Sequence, residues 1–151
     1  MSLHNQFFCR DGKIIVSGGI NSDLVILNDF LVLNLAHNEW ISSTNLLQPR
    51  ADHVMLQLNS TEILIIGGWS YDQDNQRILI DTIDKFNHKQ GKVISIENTC
   101  CSTTLNLGTW EIETRIPTPR FHCGVAIVND KLHIVGGFHS DLTFDRATGK
   151  N

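Results

Sequence analysis

Among the side chains that could do chemistry, His53 and His122 come first, because His122 precedes Cys123 and the pair suggests zinc. No second ligand pair lies at zinc-finger spacing, and both histidines sit 14 positions before a Gly-Gly pair, so both read as structural. No metal and no cofactor is expected. Cys100 and Cys101 are adjacent and could be redox-active in an exposed loop, but no neighbour in sequence would depress a thiol pKa. No Ser-His-Asp order, phosphate loop or carboxylate pair stands out, so no catalytic residue is assigned. Asp72, Asp74, Asp81 and Asp84 cluster in sequence and read as a solvated acidic loop.

Composition narrows the partners. With 12 Lys+Arg against 16 Asp+Glu and a net charge of −4, the chain has no broad basic field for nucleic acid or anionic lipid. No apolar run approaches the roughly 18–20 residues of a membrane span. The start, Met1 to Gln6, lacks the basic and apolar regions of a signal peptide. The four cysteines show no framework spacing, so reduced thiols in the cytoplasm, with the nucleus as the other compartment, are expected. Asn59-Ser60-Thr61 fits the N-glycosylation pattern, which reads as accidental without secretion.

The elements that must position these residues show as a repeat. Lys13–Ile20, Glu62–Trp69 and Lys131–Phe138 each run from a charged residue through a short aliphatic stretch to Gly-Gly and a large apolar residue. The pairs are Gly18-Gly19, Gly67-Gly68 and Gly136-Gly137. The apolar runs are too short for helices and read as buried strands. A second template interleaves: Trp40 to Pro49-Arg50 has the same spacing as Trp110 to Pro119-Arg120. The period lengthens from 49 residues, Gly18 to Gly67, to 69, Gly67 to Gly136. The surplus lies between Gly68 and Trp110, where Ile78–Phe86 and Lys92–Ile96 read as a long strand pair or protruding loop, with 98–108 as its return.

These residues resemble the kelch repeat, in which an apolar strand ends in Gly-Gly and is followed by Trp and then Pro-Arg. The resemblance covers nearly the whole chain. It implies an all-β kelch-type β-propeller built of four-stranded antiparallel blades, incomplete at about three, where natural propellers have roughly four to eight. The kelch-repeat region would span 1–151, with blade 1 about 1–48, blade 2 about 49–117 with an insertion about 72–108, and blade 3 about 118–151 and incomplete. On that count the chain is expected to be a fragment of a longer protein or to complete itself by association. Trp40 and Trp110 would pack one blade on the next, each with an N–H needing a partner.

The resemblance implies a protein-interaction module. Its populous relatives are kelch-like substrate adaptors of cullin-3 ubiquitin ligases and actin-binding kelch proteins. The BTB domain that would engage cullin-3 is absent from this sequence. In such adaptors the Arg of the Pro-Arg pair often points to the ligand surface, which makes Arg50 and Arg120 candidates to hold an acidic peptide segment. The residues after each Gly-Gly would form loops on that surface: Asn21 and Ser22, Trp69, Ser70 and Tyr71, His139 and Ser140. Ile20 and Phe138, by contrast, read as buried strand ends. An enzyme is not expected, the alternatives being a propeller enzyme of galactose-oxidase-like or sialate-mutarotase-like kind, or a truncated copy without independent function. The only tyrosine, Tyr71, leaves too few phenols for the copper oxidase site.

Overall fold

In a computed structural model of the 151-residue chain, residues 6–10, 13–87 and 108–139 are described here. Every element among them is a β-strand and every pairing is antiparallel. Strands β1 (Gln6–Arg10), β2 (Lys13–Ser17), β3 (Phe30–Asn34) and β4 (Glu39–Ser42) form a first sheet in that order. Strands β5 (Val54–Gln57) and β6 (Glu62–Ile66) follow, then a short hairpin of β7 (Trp69–Tyr71) and β8 (Arg77–Leu79). Next, β9 (Thr82–Asn87) and β10 (Thr109–Arg115) complete a second four-stranded sheet, ordered β10-β9-β6-β5. The last pair is β11 (Gly124–Val128) and β12 (Lys131–Val135).

The expected lengthening after Gly68 thus takes a different form. Residues 77–87 do not make one strand: Arg77–Leu79 pairs with Trp69–Tyr71 in the β7–β8 hairpin, and β9 then takes the third place in the sheet, while Lys92–Ile96 lies outside the described residues. A hairpin there suits the local chemistry. Asp72 Oδ1 accepts the backbone N–H of Asp74 (2.9 Å) and of Gln76 (2.8 Å), closing the turn between Tyr71 and Arg77. Asn21 does the same work after the first Gly-Gly, accepting from Asp23 and Val25. The return about 98–107, with Cys100 and Cys101, lies outside the described residues, as does Ser140.

The sheets hold together through two apolar layers. Phe30, Val32, Leu46, Met55, Ile63 and Phe86 fill the space between the first and second sheets. Leu64, Ile66, Ile83 and Ile116, flanked by Val125, Leu132 and Ile134, fill the space between the second sheet and the β11–β12 pair. Strand β6 feeds both layers, which is why its Ile-Leu-Ile-Ile run is continuous rather than alternating. Trp110 packs on Phe30 (5.2 Å) and Phe86 (4.9 Å) and donates its indole N–H to Thr44 O (2.9 Å). Trp40, the matching residue of the first sheet, was expected to pack likewise; it stays 53% exposed, with no further sheet behind it among the described residues.

Candidate functional site

The site grows out of the turns that join one sheet to the next. All six Gly-Gly residues have positive φ, from 53° to 96°. Only a hydrogen fits in the second pair: a Cβ on Gly67 would lie 2.3 Å from Arg120 O, and one on Gly68 2.6 Å from Ala51 O. The close approach lets Gly19 N–H donate to Arg50 O (2.9 Å) and Gly68 N–H to Arg120 O (3.0 Å). Each Pro-Arg turn is therefore tied to the Gly-Gly pair of the sheet before it.

Arg50 was expected at the ligand surface, and the structure corrects this. Its side chain is 0% exposed, donates from Nη1 to Gly67 O (3.2 Å) and from Nη2 to Thr82 Oγ1 (3.3 Å), and pairs with the Asp84 carboxylate. Burial lowers its pKa, and the Asp84 charge opposes that fall. Asp84, read as part of a solvated loop, is a buried counter-ion. Arg120 repeats the carbonyl contact, from Nη1 to Gly136 O (2.7 Å), and adds one to Thr118 O, but its side chain is only half-buried.

The structural reading of the histidines holds for His53, but the equivalence of the two is corrected. His53 and His122 share a distance from Gly-Gly, yet they are not equivalent. Ile66 pairs with Val54 whereas Val135 pairs with Gly124, so the β11–β12 hairpin is one residue shorter. Structurally, His53 corresponds to Cys123 and Asp52 to His122, the latter two sharing positive φ of 54° and 51°. His53 is enclosed and hydrogen-bonded through Nε2 to Ser17 Oγ (2.8 Å). Burial first, and the Arg50 charge second, lower its pKa from 6.5 to about 3, so it is neutral at physiological pH. Burial raises the pKa of the Cys123 thiol, the reverse of what a nucleophile needs. Among the described residues, no group of three His, Cys, Asp or Glu is placed to hold a metal ion.

What the turns bring to the surface is an aromatic ledge. Asp52 Oδ2 accepts the Trp69 indole N–H (2.6 Å) and lies 3.3 Å from His122 Nε2. The guanidinium of Arg77 sits between two rings, 4.3 Å from the Trp69 centroid and 4.6 Å from that of Phe121. Tyr71 meets Trp69 edge-on at 5.5 Å, and Phe138 stacks on Phe121 at 5.5 Å. Tyr71, Phe138 and His122 remain 44%, 48% and 48% exposed. Trp69, expected as a surface anchor, is 8% exposed and forms the floor, and Ser70 beside it is buried. Phe138, expected to be buried, forms the rim. Ser22 and His139 are exposed, and Asn21 spends its carboxamide oxygen on its own turn.

Sequence reasoning missed Arg77, Phe121 and Asp52. The signal for Arg77 was present: the Asp72–Gln76 turn sets Arg77 opposite Tyr71 in the hairpin. Phe121 and Asp52 follow Pro-Arg at positions whose exposure depends on what the next Gly-Gly loop supplies.

No family model matches the sequence. Among solved structures, the chain is similar to YjhT, with a TM-score of 0.65 at 12% identity over 90% of this chain and 34% of that one. The chain thus spans about a third of the length of YjhT. YjhT is a kelch-fold enzyme, a sialic acid mutarotase. The expectation that this chain is no enzyme is therefore withdrawn: a neighbour of the same architecture catalyses, so missing sequence motifs are no ground for excluding activity. At 12% identity the likeness carries the fold alone, and the fold it supports is an all-β, propeller-type arrangement of antiparallel sheets. Among the described residues no helix is long and apolar enough to cross a membrane.

Proposed function

We propose that the chain is a protein-binding part of a kelch-type propeller and that partners dock on the ledge formed by Tyr71, Arg77, His122 and Phe138. One observation carries this reading. Two large exposed rings, Tyr71 and Phe138, pack on the two rings, Trp69 and Phe121, that the Arg77 guanidinium lies against, so little side-chain freedom is lost on binding. An acidic peptide segment suits the ledge, with Arg77 replacing Arg50 as the cationic contact and His122 beside it as a further polar contact. The partner role would be that of a cullin-3 substrate adaptor in a longer protein carrying a BTB domain, or of an actin-binding propeller.

Tyr71→Ala with Phe138→Ala tests it. Both residues are about half exposed, so the double variant should keep the circular dichroism spectrum of the parent. Capture from lysate, quantified by mass spectrometry, should retain a prey on the parent chain and lose about tenfold or more of it on the variant. Co-sedimentation with filamentous actin separates the cytoskeletal role from the adaptor role. A prey set unchanged by the double substitution would sink the ledge as the contact surface.

A second reading, favoured by the likeness to YjhT, is a catalytic propeller. The half-exposed His122 imidazole beside the Asp52 carboxylate is the group that could exchange protons with a bound sugar. Anomer exchange of sialic acid followed by proton NMR would support this reading if the parent chain accelerates it and His122→Ala does not.

A further inference from the structure

We infer that a second, separate site lies on the other flank of the β7–β8 hairpin and takes a neutral primary amide on a short apolar stem. A cleft of about 330 Å³ opens there between the Leu47–Gln48 turn, β8, the start of β9, and β10. Asp84 contributes to its wall. That residue is 1% exposed; its Oδ2 takes Arg50, while its Oδ1 is buried and has no hydrogen-bond partner among the described residues. A buried carboxylate oxygen left unmatched is costly, and an incoming N–H donor would relieve it.

Three further observations shape the ligand. Leu47, Ile78 and Ile112, all large apolar side chains that solvent reaches, converge on the cleft and suit an aliphatic stem. Strand β10 breaks register between Ile112 and Thr114, beside Asp84, so the ladder is irregular where a ligand would enter. The charges cancel in pairs: Asp84 with Arg50, and Asp81 with Arg115. A cation or anion would enter uncompensated, whereas a neutral donor would not. Thr82 also lines the cleft, and its oxygen accepts from Arg50, which leaves its hydroxyl proton to meet the carbonyl of an amide.

The site is independent of the ledge and is tested directly on the full chain. The ¹⁵N–¹H spectrum is titrated with butyramide and with a blocked tripeptide carrying a central glutamine. Sodium butyrate and butylammonium chloride serve as charged counterparts. Butyramide is expected to shift the amides of Thr82, Asp84 and Arg115 saturably, with the charged probes at least about tenfold weaker. Response to butyramide alone assigns a free small amide, and response to the peptide as well assigns a glutamine side chain of a partner. Ile112→Glu or Ile78→Glu, both at exposed positions, should weaken either amide at least about tenfold while leaving the rest of the spectrum in place. Absence of a saturable shift with both amides, equal response to a charged probe, or undiminished affinity in a folded wall variant would overturn the proposal.

Discussion

The turns Pro49–His53 and Pro119–Cys123 follow one backbone path and do opposite work. In the first, the arginine is fully enclosed, paired with Asp84 and backed by a neutral His53. In the second, the arginine keeps the contact to the following Gly-Gly carbonyl but stays half-buried, and His122 faces solvent. The difference follows from what packs on each turn. Around the first, the second sheet closes with β9 supplying Thr82 and Asp84. The repeat therefore specifies a backbone joint, and among the described residues only the first joint has a later strand, β9, packed over its arginine. At the second joint Phe121 is buried, while His122 and Phe138, the rings packed against it, stay about half exposed and form the edge of the ledge.

The glycines give the largest expected effect, because they test the backbone joint on which the comparison rests. Gly67→Ala places a Cβ 2.3 Å from a backbone carbonyl at positive φ, which should cost more than ~3 kcal/mol or prevent folding. A Cβ on Gly136 meets nothing within 4 Å, so Gly136→Ala should cost only the left-handed conformation, about 1–2 kcal/mol. Urea unfolding of the two variants measures the gap. The clash at Gly67 is with the Arg120 carbonyl of the second turn, so similar losses would mean that this close backbone approach is not what fixes the joint.

His53 sharpens the comparison through pH. Its folded pKa lies below the unfolded value, so the unfolded chain binds the proton more readily. The stabilisation is then complete above pH 6.5 and is lost as pH falls toward about 3. Within that window stability should drop by at most about 1.4 kcal/mol per pH unit from this residue. His53→Cys imitates the second joint and should flatten that slope, at a cost of about 1 kcal/mol at pH 7 for the lost Ser17 contact. An unchanged slope in His53→Cys would place the acid sensitivity elsewhere.

Much of the architecture was legible because Gly-Gly and Pro-Arg are local requirements of the backbone. Positive φ and close approach permit little else at Gly67 and Gly68, so the residue types announce the turn. Side-chain fates were less legible because they depend on distant partners. Arg50 and Asp84 are 34 residues apart, and the carboxylate sits in a stretch whose composition resembles a solvated loop. Counting back from Gly-Gly equated His53 with His122, since one residue fewer in the β11–β12 hairpin leaves no mark on the pattern. Ile20, Trp69 and Phe138 hold one repeat position yet end half-buried, buried and exposed, as their neighbours dictate.

The most direct test of the two-joint account is a matched pair of unfolding curves for Arg50→Ala and Arg120→Ala at pH 7. Removing Arg50 strands a buried carboxylate, so a loss of about 3–5 kcal/mol is expected. Removing Arg120 gives up carbonyl contacts that water can replace, so the expected loss is below about 1.5 kcal/mol, with the ledge intact. Equal losses in the two variants would contradict the account, because they would make the second turn a lock like the first.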